Sequence, residues 1–222
     1  MEDKLSDYVV SSYTPTLSAI LDPSATKVGN DFAILTVAQA STPYTTPTAK
    51  AAEEAKRGES LAGSLTVGNL KNGEATVGRA LRTMRDMECH GKQETGESMK
   101  SGLPLHDATL GLSEIVSHTL PRADFAFLSA RQTAVGDERI ADESVHLAVG
   151  MLMAGYRGVI ATMWSIKDKD APQVAEEVFR EIWKDGKPNG KEAAHALHDA
   201  VKRLRESGAG FMAWVPFVHL GR

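Results

Sequence analysis

Cysteine is almost missing from this chain. Cys89 is the only one in 222 residues, which excludes internal disulfides and any zinc site built on several thiolates. The seven histidines are scattered without ligand spacing, so neither a structural metal nor a cofactor is expected. Also missing is an apolar run near the ~20 residues that a membrane span needs. The opening residues MEDKLSDYVV are polar and acidic, unlike an export signal, so the cytosol is the expected compartment. Surplus positive charge is lacking too: 25 Lys and Arg face 29 Asp and Glu, a formal net charge of −4. Nucleic acid and anionic membranes are therefore not expected partners. No internal repeat and no low-complexity tract is found.

What remains is an ordinary globular composition. Hydrophobic residues make up 42% and charged residues 24% of the chain, enough apolar material for a sizeable core. The length suits a single α/β domain over residues 1–222, loop-rich between 44 and 101. Residues 8–13, YVVSSY, predict a strand stopped by Thr14-Pro15, and residues 16–21 a helix. AILTVA at 33–38 is apolar nearly throughout, as a central strand of a parallel sheet would be. Pro47, Gly58, Gly63, Gly68 and Gly73 break up residues 44–75, leaving a helix at 50–56 and a short strand at 65–67. Val77, Ala80, Leu81 and Met84 recur at helical spacing. Residues 92–101 read as a polar loop, and residues 113–115 open a brief helix.

The second half is more plainly patterned. FAFL at 125–128 reads as a buried strand, and residues 143–154 as an apolar helix closed by Gly155. Residues 159–164 form the next strand. Asp170, Pro172 and Gln173 then supply an N-cap acid, a first-turn proline and a capping-box amide. Val174, Val178, Phe179, Ile182 and Trp183 make the apolar stripe of that helix. A helix from 191 to about 206 turns Ala194, Leu197, Val201 and Leu204 inward, and residues 211–220 read as the last strand. Strands alternating with helices predict a mostly parallel central sheet flanked by helices.

Three features can share one site at the carboxyl ends of the strands: His90-Gly91, the polar cluster from Ser129 to Thr133, and the acidic loop from Asp137 to Glu143. The run FAFLSARQTAVGDERIADESVHLAVGMLMAGYRGVIATMWSIKDKDAP carries a resemblance, extended by YVVSSYTPTLSAIL, CHG, GLSEI and WVPFVHLG. Together these resemble the CHAT domain, a caspase-like cysteine peptidase family often found after tetratricopeptide repeats, with the greatest likeness to fungal members. The resemblance implies a caspase-haemoglobinase-like three-layer fold and a His/Cys dyad. Its base corresponds to His90. Its nucleophile is the cysteine of a Ser-Ala-Cys-Gln-Thr segment, which here reads Ser129-Ala130-Arg131-Gln132-Thr133. Backbone N–H groups near Gly91 and residue 131 would form the oxyanion hole, although a plain turn glycine also explains Gly91.

Arg131 is incompatible with that chemistry. Guanidinium stays protonated and offers no lone pair to a carbonyl carbon, whereas the peptidase reaction needs a thiolate made with the help of a histidine. Cys89 and Ser129 read as structural residues. A second departure precedes His90. The lead-in Arg82 to Glu88 carries charges where the family has an apolar strand, so either the strand is shortened or a segment has been lost, and whether His90 keeps the family position stays open.

Asp137 and Asp142 could bind a basic side chain of a polypeptide, or Asp142 could cap the helix that follows. Trp164 could wall the same cleft or belong to the core. The expected function is a CHAT-type protein that has lost peptidase activity and binds a polypeptide segment or partner domain, tetratricopeptide-repeat proteins included. The alternative is an active cysteine endopeptidase in which residue 131 is a variant of the usual cysteine. Met1 stands a few residues before the first strand, so no repeat domain is expected ahead of it.

Overall fold

The structure is a computed structural model. It describes residues 8–15, 33–38, 66–71, 76–86, 89–95, 102–105, 107–118, 120, 123–130, 140–164, 166, 170–184 and 189–221. The helices expected at 16–21 and 50–56 lie outside them.

The first half gives β1 (Ala33–Ala38), β2 (Thr66–Lys71), α1 (Val77–Asp86), β3 (Cys89–Thr95), β4 (Gly102–Pro104), β5 (Thr109–Gly111) and α2 (Leu112–Ser117). The second gives β6 (Phe125–Ala130), α3 (Ile140–Ala154), β7 (Gly158–Thr162), α4 (Asp170–Ile182), α5 (Ala193–Glu206), α6 (Phe211–Trp214) and β8 (Phe217–Gly221). Six strands form one sheet in the order β2-β1-β3-β6-β7-β8, and β4 and β5 form a separate antiparallel pair. Every pairing in the large sheet is parallel except that of β8 with β7.

Parallel strands covered on both faces need apolar residues at every position, and β6 and β7 meet that demand. Along β6, Phe125 and Phe127 face one core while Ala126 and Leu128 face the other, the two-residue alternation of extended chain. The first core lies against α4 and α5, where Phe179 sits 6.1 Å from the rings of both Phe125 and Phe127. The second is closed by Ala80 of α1, Ile115 of α2 and Leu147, Ala148 and Met151 of α3. The result is three layers: helices, a mostly parallel sheet, helices.

Local chemistry sets the helix ends. After α3, Gly155 has φ of 126°, and a Cβ there would stand 2.5 Å from the Leu120 carbonyl oxygen. The Gly155 N–H donates to Leu152 and the Tyr156 N–H to Met151, the two reversed bonds of a Schellman turn. At the start of α1, the Arg79 N–H donates to the Thr76 hydroxyl at 3.3 Å, and the Val77 N–H to Asp107 Oδ1 at 2.9 Å. Asp107 thus caps a helix from thirty residues away.

Several expectations need correction. Residues 8–13 form no strand; Tyr13 alone makes a bridge, to Leu220. Residues 92–95, expected in a loop, belong to β3, whose pairing with both β1 and β6 overrides its polar composition. Residues 211–220 split into α6 and β8 at Pro216, which has no N–H to continue either element. On α5 the buried stripe is Ala193, Ala196, Leu197, Ala200 and Leu204, because small alanines let this helix lie close to the sheet. Ala194 and Val201 are only half-buried.

Candidate functional site

An open α/β sheet builds its sites where the chain leaves the carboxyl ends of the strands. β6 brings Ser129 and Ala130 to that rim, and β7 brings Thr162, followed by Met163 and Trp164. Because β8 runs antiparallel, it starts there: Phe217 lies opposite Thr162, and the Met163 N–H donates to the Pro216 carbonyl at 2.8 Å. α6 therefore stands on the same rim. The indole N–H of half-buried Trp164 donates to the Met212 carbonyl at 3.1 Å. Phe211 and Met212 are 61% and 64% exposed, and Phe211 packs edge-on against Trp214 at 5.3 Å. The Arg205 guanidinium lies 5.8 Å from the Trp214 ring, within the range of a cation–π contact.

The expected catalytic pair fares differently. Arg131 and Asp137 lie outside the described residues, and sequence alone places Arg131 directly after Ala130. His90 is paired with Ile34 on one side and Phe125 on the other, which puts it at the amino ends of these strands. The partner of Ala130 is Thr95. Five residue steps separate His90 from that level, about 16 Å at ~3.3 Å per residue. The sheet therefore does not carry His90 to the rim where β6 ends, contrary to expectation.

The cause is visible in the lead-in. α1 runs to Asp86 and β3 opens at Cys89, so His90 is only the second residue of its strand. Gly91 lies between Leu35 and Ala126 inside the ladder, where pairing takes up the backbone groups an oxyanion would need. Asp142 is the third residue of α3, which begins at Ile140, so it lies inside the first turn and is not the N-cap.

Other residues take the positions that His90 and Gly91 leave. Glu94 and Thr95 of β3 stand level with Ser129 and Ala130. They read as loop in the sequence, and only the pairing reveals them. The exposed Phe211-Met212 pair was hidden inside an expected strand. His219 is 2% exposed, and burial pushes its imidazole down from the usual range to about 4. His146 and His195 face solvent. Among the described residues no group of three His, Cys, Asp or Glu is placed to hold a metal ion, and no helix is long and apolar enough to cross a membrane.

The fold is shared with solved cysteine peptidases. A gingipain R structure, described as the Arg-specific cysteine proteinase, matches with a TM-score of 0.55 and 12% identity, over 92% of this chain and 51% of that one. The complex of the Porphyromonas gingivalis gingipain pro- and mature domains gives 0.54 and 13%, over 92% and 52%. Separase from the Saccharomyces cerevisiae separase-securin complex gives 0.52 and 13%, over 87% of this chain but 12% of the separase chain. The chain thus spans about half of the gingipain chains and a small part of separase. No curated protein matches it. The sequence model of the CHAT domain, in contrast, matches residues 4–222. With a caspase-like sheet and a match over nearly its whole length, this chain belongs to the CHAT domain family.

Proposed function

We propose that the chain is a CHAT-domain protein without peptidase activity that binds a polypeptide segment, or a domain of a partner, at the carboxyl rim of its sheet. One observation carries this reading: the residue after Ala130, where the family resemblance places a nucleophilic cysteine, is Arg131. A cation that never deprotonates cannot attack a carbonyl, and loss of a nucleophile lowers rates by as much as ~10⁶-fold. The register of His90, the residue to which the resemblance gives the role of base, supports the same reading, since it pairs with Ile34 and Phe125 at the amino ends of their strands. Cys89 opens β3 at that far end too.

Binding is supported by the rim itself. Phe211 and Met212 offer apolar surface beside Trp164, and Asp137 and Asp142 would add acidic groups for a basic side chain. Separase, which shares this fold over part of its chain, was solved in complex with securin, which supports a polypeptide partner. Tetratricopeptide-repeat proteins and a cytosolic setting belong to this proposal.

A peptide library incubated with the native chain should stay uncut, and a thiol-directed inhibitor should label Cys89 at most. Peptide cleavage by the native chain would sink the reading. Arg131→Cys alone is expected to stay inactive because His90 is out of reach. Recovered cleavage would instead leave the missing sulfur as the sole defect. Binding is read on a peptide array, and it should weaken when Met212→Asp puts a charge on the apolar rim.

A further inference from the structure

The segment at residues 8–15 lies along the outer edge of β8, and it is attached with little apolar burial. Tyr8, Val9 and Tyr13 are 72%, 49% and 59% exposed. Polar contacts hold it instead. The Tyr13 N–H donates to the His219 carbonyl at 2.9 Å, and the Gly221 N–H donates to the Tyr13 carbonyl at 2.8 Å. Between them the Ser12 hydroxyl meets His219 Nδ1 at 2.7 Å and lies 3.4 Å from the Gly221 carbonyl oxygen. Exposed Ser12 is therefore the cover over a histidine that is almost wholly out of water.

The other imidazole nitrogen has no hydrogen-bond partner among the described residues: His219 Nε2 is buried and points at Gly158, where a Cβ would stand 3.0 Å from it. A neutral imidazole tolerates this as the Nδ1–H tautomer, which donates to the Ser12 hydroxyl and leaves only a bare lone pair on Nε2. An imidazolium cannot. It carries a proton on both nitrogens, and the one on Nε2 would face Gly158 with no acceptor among the described residues. The charge could be hydrated only if the Ser12 side opened.

We propose that the Ser12–His219 contact is an acid-released latch: protonation of the buried imidazole frees residues 8–15 and uncovers the outer edge of β8. Asp124 and Arg157, at the amino ends of β6 and β7, are joined to each other at 3.8 Å. On the remaining elements the titratable and charged groups are Tyr8 and Tyr13 of the segment, Lys191 and Glu192 of the turn before α5, His195, His198, Asp199, Lys202, Arg203, Arg205 and Glu206 of α5, and Asp142, Glu143 and His146 of α3. Burial alone accounts for the lowered basicity of His219.

The sign follows from linkage. The closed form binds its proton only near pH 4, while an opened, hydrated imidazole binds one near 6.5. The latch is fully held above about pH 6.5 and weakens as pH falls toward 4. Amide hydrogen exchange on the native chain tests this at Tyr13 and Gly221. Their protection factors should lie below those of Val159 and Ile160 in β7, which marks local opening. They should fall about 20-fold between pH 7 and pH 5, and His219→Gln should remove that fall. The latch is overturned if the two amides open only with β7, or if the fall persists in His219→Gln. Should that variant not fold, the imidazole of the native chain is titrated by NMR. A midpoint near 4 is expected, and one near 6.5 would overturn the proposal.

Discussion

β3 and β6 lie side by side in the sheet, parallel and in register over six residues, yet they are made of opposite material. β6 reads FAFLSA and β3 reads CHGKQET. The first is a strand because its own residues require burial. The second is a strand because β1 and β6 leave a slot between them whose hydrogen-bonding edges must be filled. A strand of the first kind can be recognised in isolation. A strand of the second kind exists only in the assembled sheet, and with it came the position of His90.

That contrast can be broken from either side. Phe127→Ala should have the largest effect, about 4 kcal/mol lost, because Phe127 is fully buried against Phe179 and Phe217. Urea unfolding checks it; a loss under 1 kcal/mol would mean that β6 is not the centre of the core. Gln93→Pro probes β3 with a roughly 3 kcal/mol loss expected from a missing ladder N–H in a strand paired on both sides. Near-neutral behaviour would return residues 92–95 to a loop and reopen the placement of His90.

Helix ends repeat the contrast on a smaller scale. Gly155→Ala puts a Cβ at a positive φ and onto the Leu120 carbonyl, and about 2 kcal/mol should be lost, seen as a lower thermal midpoint. Asp107→Ala removes the distant cap of Val77 and should cost about 1 kcal/mol, with Asp107→Asn recovering part of it. An Asp107→Ala chain of unchanged stability would show that Thr76 caps α1 alone.

Much of the second half was legible for the same local reason. FAFL at 125–128, the helix closed by Gly155 and the stripe of Val174, Val178, Phe179 and Ile182 appear where expected, and the strand expected at 159–164 is found at Gly158–Thr162, two residues shorter at its end. The candidate site was less legible. Trp164 was expected at a strand end and stands just past one, but α6, which its indole holds, was read as strand. Of the two readings of Asp142, as a binder of a basic side chain or as a helix cap, the cap does not hold, since Asp142 lies within α3. The Ser12–His219 contact spans 207 residues, a distance no spacing rule reaches.

The sequence by itself determined the apolar strands, the amphipathic helices, the glycine that ends α3, and the arginine that follows Ala130. Each follows from residues close together in the chain, whose burial or backbone preference acts locally. Only the tertiary structure decided that a polar heptapeptide fills the middle of the sheet, that His90 enters at its amino end, and that Ser12 covers His219. Those depend on which hydrogen-bonding edges and buried nitrogens remain unmet once the rest of the chain has packed.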